Sequence, residues 1–477
     1  MSIVFLMPWK DALRRTRDMA ETATLGVFAG MLVAGTAMGI PLAAILAAGL
    51  ALFLTYGMRR GVRLPELLRA GALSMRSVAS MLALFVVAGA LAAAWRASGT
   101  IAAIVSWSSS LIQPSAAVLA AFLLCCLMSL LMGTAFGTAA TMGVICMAVS
   151  HAMGANELAT GGAVLAGCYF GDRCSPLSGS AVLVSKLTGT SIYDNVRRML
   201  RTGLVPFLVA CVAYLAMGLQ AKGGANAAGV AAALADKFSL SWLAILPAVL
   251  VVALSLAHVN VLVAMAASLG MACAVCVGVQ GVPPAELPQL LVFGYHVADP
   301  AVAPLIDGGG VVSMTNVTLV VGISSTYAGI FKKTGLLDGA VGLVTGFSRK
   351  STPFIGVLAT SVASCMVACN QTLAIMLTDQ LCRRTESNGS ALALDLENSV
   401  VIVSPLVPWS ISNVAVLSSV GAPALSIVAA TFCYLLPLWT LAISVWQRRR
   451  PEFPDSRPAQ LLGLTPADDV RRIPAAA

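Results

Sequence analysis

Asp172 is the residue in this chain best placed to do chemistry. It stands in Gly171-Asp-Arg-Cys-Ser-Pro-Leu-Ser-Gly-Ser180, a polar stretch set inside a long apolar region. Hydrocarbon offers no water to solvate a carboxylate, so the cost of ionising Asp172 has to be met by a cation, a proton or a partner. Ser175, Ser178 and Ser180 supply hydroxyls beside it, and Pro176 interrupts any helix running through. Three other apolar runs are broken in the same way. One break carries Thr134 and Thr138 in Gly133-Thr-Ala-Phe-Gly-Thr138, and the second is Asn370-Gln371-Thr372. The third begins at Glu397-Asn398 and continues through Ser404-Pro405 and Ser410 to Asn413. All four breaks are rich in oxygen. Small cations such as Na⁺ take hard oxygen ligands, which unwound backbone provides alongside side chains. Two blander roles stand against this: Asp172 pairs with adjacent Arg173 at a helix end, and Glu397 caps a helix below the aqueous loop that holds Arg383, Arg384, Glu386 and Asp395.

The elements that must position these residues are membrane helices. Of the 477 residues 58% are hydrophobic and 10% charged, against about 25% charged in a soluble domain. The mean hydropathy is +0.90. Apolar runs recur at a length that spans roughly 30 Å of hydrocarbon as a helix, and their Leu and Ala content lacks the alternation of a membrane barrel. The fold class is therefore an all-α polytopic membrane protein. Spans are expected at 24 to 57 (two), 79 to 95, 116 to 153 (two), 159 to 187 (interrupted), 203 to 219, 241 to 280 (two), 288 to 305, 311 to 331, 352 to 381 (interrupted), 397 to 421 (interrupted) and 424 to 446. Two stretches near 100 to 112 and 336 to 348 are short enough to be re-entrant or interfacial. The expected organisation is a cytoplasmic segment (1–23), a first transmembrane half (24–220), a second half (221–446, with repeat matches from about 308) and a disordered cytoplasmic tail (447–477).

The halves resemble each other. Gly71-Ala-Leu-Ser-Met75 matches Gly310-Val-Val-Ser-Met314, and Trp95-Arg-Ala-Ser-Gly99 matches Phe331-Lys-Lys-Thr-Gly335. Ser175-Pro-Leu177 recurs as Ser404-Pro-Leu406, and Ala181-Val-Leu183 as Ala415-Val-Leu417. The net charge of +9 sits in short basic runs between apolar segments, which orients a chain in a bilayer rather than binding nucleic acid. Arg59, Arg60 and Arg63 precede the helix near 79, whereas Lys332 and Lys333 follow its counterpart. If both clusters are cytoplasmic, equivalent helices cross in opposite directions. That is an inverted-topology repeat, with binding expected at broken helices near the midplane. Arg96 is the exception that this orientation places outside. The first apolar run has no signal-peptide cleavage pattern.

Other features carry less. The 12 cysteines fall mostly in apolar runs and act as small core residues, including the Cys273-Ala-Val-Cys276 pair. His151 and His258 lie at span ends, while His296 near Asp299 and Asp307 is a proton-relay alternative. Gly308-Gly-Gly310 lacks the context of a phosphate loop and reads as a flexible turn. No Walker motif, metal cluster or nucleophile elbow is present, which argues against an ATP-driven pump or an enzyme.

With these motifs in place, the sequence from about 24 to 446 resembles the NhaC family of Na⁺/H⁺ antiporters. The matching motifs are Ala97-Ser-Gly-Thr100, Gly133-Thr-Ala-Phe-Gly-Thr-Ala-Ala-Thr141, Tyr169-Phe-Gly-Asp-Arg-Cys-Ser-Pro-Leu-Ser178, and Glu397-Asn398 followed by Ser404-Pro-Leu-Val-Pro-Trp409. The resemblance implies Na⁺/H⁺ exchange by alternating access at the inner membrane, with both termini cytoplasmic. The alternative is an ion-coupled amino-acid or organic-acid transporter on the same scaffold. No cofactor is implied beyond the transported Na⁺ and H⁺. The implied partners are the lipid bilayer and a small cation or organic solute, with a homodimer open. Members of the family usually carry an acid after Ser-Pro-Leu-Ser, where this chain has Gly179-Ser180. The expected cation ligands are Asp172, with Ser175, Ser178, Asn370 and Thr372 completing its shell.

Overall fold

The computed structural model describes residues 20–448 except 22, 33, 36–37, 77, 109–112, 220–235, 258, 298–306, 337–351, 369 and 384–387. The expected N-terminal segment, the C-terminal tail, the 336 to 348 stretch beyond Leu336, and His258 and Asp299 therefore lie outside the described residues.

Leu-, Ala- and Val-rich runs fold as helices throughout. In chain order these are α1 (Ala23–Leu32), α2 (Leu42–Arg59), α3 (Leu64–Arg76), α4 (Ala79–Ala97), α5 (Thr100–Ser108), α6 (Ala117–Met132), α7 (Ala135–Thr138), α8 (Val144–Ala152), α9 (Glu157–Cys174), α10 (Gly179–Thr188) and α11 (Ile192–Leu219). The chain continues through α12 (Leu246–Leu256), α13 (Val261–Gly278), α14 (Leu287–Phe293), α15 (Thr315–Thr334), α16 (Pro353–Ala368), α17 (Gln371–Cys382), α18 (Gly389–Asn398), α19 (Val400–Val403), α20 (Ile411–Ser419) and α21 (Thr431–Arg448). Among the described residues, six helices are long and apolar enough to cross a membrane, or up to eight when each bent pair counts as one span. The polypeptide is an all-α polytopic membrane protein, as its composition predicts.

The expected interruptions are real bends. α4 and α5 meet at 66°, which accounts for the short apolar stretch after residue 100, and the segment from α18 meets α20 at 59°. α7 and α8 are joined through a π-helical turn at Ala139–Gly143, a local widening of the helix common at functional sites.

Beside a third around Trp95 and Met265, two hydrophobic cores are the largest in the described residues. One joins α6, α8 and α9 to α21 through Phe122, Tyr169, Tyr214 and Phe432; the other joins α2 and α15 to α16, α17 and α18 through Phe53, Tyr327, Ile375 and Leu396. α9 packs against α6 almost backbone to backbone. A Cβ at Gly171 would meet the Leu130 nitrogen at 2.3 Å, and one at Gly167 would meet the Phe122 carbonyl oxygen at 2.7 Å. Ser129 Oγ donates to the Cys168 carbonyl within this contact. Small residues and interhelical hydrogen bonds are how membrane helices associate when lipid removes the hydrophobic drive, and here they fix the end of α9 that carries Asp172.

Gly308-Gly-Gly310 is a packing feature. All three residues have positive φ, Gly310 N–H donates to the Gly89 carbonyl at 2.7 Å, and a Cβ at Gly309 would meet the Ala93 nitrogen at 2.4 Å. The turn presses against α4, where only glycine fits. The described cysteines, including Cys273 and Cys276, are all free thiols.

Candidate ion-binding site

The site forms where α9 ends. Pro176 lacks an N–H and disfavours helical backbone in the residue before it. Ser175 accordingly turns extended (φ −90°, ψ 133°) and closes α9. Ser178 then restarts the chain as the N-cap of α10, its Oγ accepting from Ser180 N–H at 3.2 Å. This break directs two hydroxyls back onto Asp172. Ser178 Oγ donates to Oδ1 at 2.9 Å and Ser180 Oγ to Oδ2 at 3.1 Å, with 2.8 Å between the hydroxyls. Gln371 Nε2, at the first turn of α17, reaches Oδ2 at 3.4 Å and the Val401 carbonyl at 3.3 Å. The backbone N–H of Ala135, at the start of α7, also lies beside the carboxylate. Asp172 is only 7% exposed. Donors from α7, α10 and α17 thus converge on one carboxylate at the seam between the two cores. A cavity of about 440 Å³ opens beside Thr134 and Gly137 at this end of α7.

The sequence-nominated residues divide into three groups. Asp172, Ser178, Ser180 and Gln371 are brought together. Thr134, Thr138, Asn370, Thr372 and Ser175 shape the scaffold instead. Thr134 caps α7 by accepting from Gly137 N–H, and Thr138 Oγ1 donates to the Thr134 carbonyl. Asn370 caps α17 by accepting from Thr372 N–H at 2.8 Å, leaving Thr372 exposed. Ser175 Oγ accepts from Leu177 N–H. Of the expected shell of Ser175, Ser178, Asn370 and Thr372, Ser178 reaches Asp172, joined by Ser180 and Gln371, while Ser175, Asn370 and Thr372 spend polar atoms on local turns and caps. The third group is the other arm. Ser410 caps α20, Ser404 Oγ lies 2.8 Å from Ser412 Oγ and 3.4 Å from Ser410 Oγ, and Asn413 Nδ2 donates to the Pro405 carbonyl at 2.8 Å. Tyr169 OH, donating to the Ser412 carbonyl at 3.0 Å, ties this arm to α9.

Arg173 does not pair with Asp172. Consecutive helical residues point about 100° apart, and Arg173 turns to the Met199 carbonyl (3.0 Å), Thr202 Oγ1 (3.1 Å) and Asn398 Oδ1. Glu397 is fully buried yet outside the Asp172 cluster. His296 pairs with Asp307 at 3.4 Å in an exposed position, and His151 pairs with Glu157, both apart from Asp172.

Sequence reasoning did not single out the Ala135 N–H or the Arg173–Asn398 link. The first carried a signal: Thr134 is a good N-cap, and the residue after an N-cap presents a free N–H.

Caps in the two parts of the chain share extended backbone. The caps Thr134 (φ −148°, ψ 124°) and Asn370 (φ −140°, ψ 129°) nearly superpose in dihedral space, as do Ser178 (φ −69°, ψ 135°) and Ser410 (φ −69°, ψ 140°).

Comparison with known proteins accords with this geometry. The model of the Na⁺/H⁺ antiporter family matches residues 19–183 and 167–447. The Na⁺/H⁺ antiporter NhaC of Bacillus subtilis is 26% identical over 368 residues, covering 74% of this chain and 81% of the relative. The malate-2H⁺/Na⁺-lactate antiporter of the same organism is 26% identical over 440 residues, covering 88% and 91%. The arginine/ornithine antiporter ArcD of Halobacterium salinarum is 27% identical over 364 residues, covering 72% and 74%.

Proposed function

This chain belongs to the Na⁺/H⁺ antiporter family, and from that premise we propose that it exchanges Na⁺ for H⁺ across the inner membrane by alternating access, with Asp172 as the cation ligand. The observation that carries the reading is a buried carboxylate held by two serine hydroxyls and a glutamine amide at the seam between two cores. A hydroxyl donates to the bare carboxylate and, on rotating, offers a lone pair to a cation. Ser178 and Ser180 can therefore serve both states without moving their helices. The Gln371 side-chain oxygen and the unwound backbone at Ser175 are the further oxygens within the break. Na⁺ binding at Asp172 and protonation of the site exclude one another, so the carrier reorients only with one of them aboard.

Because the seam is shared by two packed bodies, rocking one against the other exposes Asp172 alternately to either face. The matching caps support an inverted pair of repeats around it. Basic clusters at Arg59, Arg60 and Arg63 and at Lys332 and Lys333 support cytoplasmic termini.

The second reading, an organic-acid or amino-acid antiporter, is favoured by Gly179. Gly179 is exposed and a Cβ there would meet nothing within 4 Å, so no side chain narrows the approach to Ser178.

The test is a proteoliposome assay in which a Na⁺ gradient drives lumenal pH change. Na⁺/H⁺ exchange predicts a dye response to Na⁺ that Asp172→Asn abolishes. Uptake of labelled amino or organic acids with no pH response to Na⁺ alone selects the second reading.

A further inference from the structure

Glu397 is the buried ionisable group that the Asp172 site leaves unused. It lies at the end of α18, where Ser399 (φ −121°, ψ −86°) breaks the helix before α19. It is 0% exposed, and neither carboxyl oxygen has a protein hydrogen-bond partner. Arg173, also 0% exposed, stands close by without forming an ion pair with it, its guanidinium being held by Met199, Thr202 and Asn398. Arg173 Nε and Asn398 Nδ2 are likewise buried with no protein partner. Three neighbouring side chains therefore hold buried polar atoms that no protein group satisfies. Glu397 is in electrostatic reach of Arg173 and Asp172, and of the Cys174 thiol, all on α9. α11 contributes only the Met199 carbonyl and the Thr202 hydroxyl, both through Arg173.

The contrast with Asp172 is chemical. Asp172 is surrounded by donors, as suits an anion, whereas Glu397 has none. An anionic carboxylate without donors or an ion pair in a nonpolar interior costs several kcal/mol, which a bound proton removes.

Charge counting then links the two. Arg173 supplies one buried positive charge against two buried carboxyls. With a proton on Glu397 and Asp172 ionised, the trio is neutral. With Na⁺ on Asp172 and Glu397 ionised beside Arg173, it is neutral again. Both carboxyls ionised with no cation leave one net negative charge in the membrane interior, and both occupied leave one net positive charge. Each unbalanced state is costly to carry across.

We propose that the exchanged proton resides on Glu397 rather than on Asp172, with Arg173 coupling the two seats, so that Na⁺ arriving at Asp172 drives one proton off Glu397. The inference rests on Asp172 being the cation seat. It differs from simple competition at one carboxylate, because binding and proton release then map to different residues. In the exchange step, Na⁺ coordinates Asp172, the Glu397 O–H bond breaks, the proton leaves by the open face, and the Glu397 carboxylate pairs with the Arg173 guanidinium.

The experiment measures radioactive Na⁺ binding and proton release together on the purified full-length chain in weakly buffered detergent. Wild type is expected to release one proton per Na⁺ bound. Glu397→Gln, which fixes the neutral form, is expected to bind Na⁺ more weakly and, at saturating Na⁺, to release no proton; release at the wild-type ratio in that variant overturns the proposal. Undiminished Na⁺ binding in Asp172→Asn would instead remove the cation seat on which it stands. Should Glu397→Gln fail to fold or to bind, infrared difference spectra of the wild-type chain decide. The protonated-carboxyl band lost on adding Na⁺ should move with ¹³C-labelled Glu, and a band that moves with ¹³C-labelled Asp overturns the proposal.

Discussion

The Ser178 arm and the Ser410 arm share a Ser-Pro-Leu sequence and a serine N-cap, with a carboxylate against the serines in only one of them. Each has a Ser-Pro-Leu break followed by a serine N-cap whose dihedrals agree within a few degrees. In the first arm the residue three before the serine of Ser-Pro-Leu is Asp172; in the second it is Val401, fully buried. Ser178 turns its hydroxyl on the carboxylate, whereas Ser404, Ser410 and Ser412 have only one another. The breaks differ too. Ser175 leaves the helix before its proline, while Ser404 stays helical (φ −51°, ψ −45°) and the chain unwinds only after Leu406. Similar caps thus supply polar turns in both arms, and in the proposed mechanism a single side chain decides which turn binds a cation.

That comparison breaks most directly at Asp172. Asp172→Asn keeps the amide within reach of its neighbours but removes the charge, and Na⁺-driven pH change in proteoliposomes should be lost. Removing a charged ligand costs about 3 kcal/mol or more, roughly a hundredfold in affinity. Placing an acid in the neutral arm should unsettle the fold instead. Val401→Asp adds a buried charge with no cation partner, expected to cost ~3–5 kcal/mol, visible as a lowered thermal midpoint in detergent.

Serine-to-alanine changes sharpen the contrast. Ser180→Ala removes one donor from Asp172 and one oxygen from the cation, so Na⁺ affinity should fall about tenfold, at ~1–3 kcal/mol for a buried polar partner. Ser410→Ala, the matched change in the other arm, should cost only the cap, ~1 kcal/mol of stability, with Na⁺ affinity unchanged in the same binding assay. The smallest effect is expected at Gly179. Gly179→Glu enters open space at the first turn of α10, where an acid gains ~0.3–1 kcal/mol and adds an anionic ligand, so Na⁺ affinity should rise a few-fold.

Much of this was legible from residue types alone. The oxygen-rich interruption from Glu397 to Asn413 marked the 59° bend between α18 and α20, whereas the 66° bend between α4 and α5 fell outside the four interruptions, and Pro176 foretold the end of α9. In the second half Asn370, Gln371 and Thr372 were all candidates, and it is Gln371 that reaches Asp172. In a capped helix start the cap side chain folds onto the backbone, so the next residue is the one free to project. A sequence gives the cap but not which neighbouring element that next residue meets. Arg173 illustrates the same limit. Its nearest acid in sequence is Asp172, yet helical rotation turns it to α11 and α18, where its partners stand 26 to 225 residues away. Glu397 looked equally suited to capping or to a site until burial without a partner separated the two.

Equilibrium binding of radioactive Na⁺ to the purified chain tests the central claim most directly, comparing wild type with Asp172→Asn and Ser410→Ala at equal folded fraction. The account predicts that Asp172→Asn loses saturable Na⁺ binding while Ser410→Ala matches wild type. Saturable binding retained in Asp172→Asn and lost in Ser410→Ala would contradict it, placing the cation in the uncharged arm.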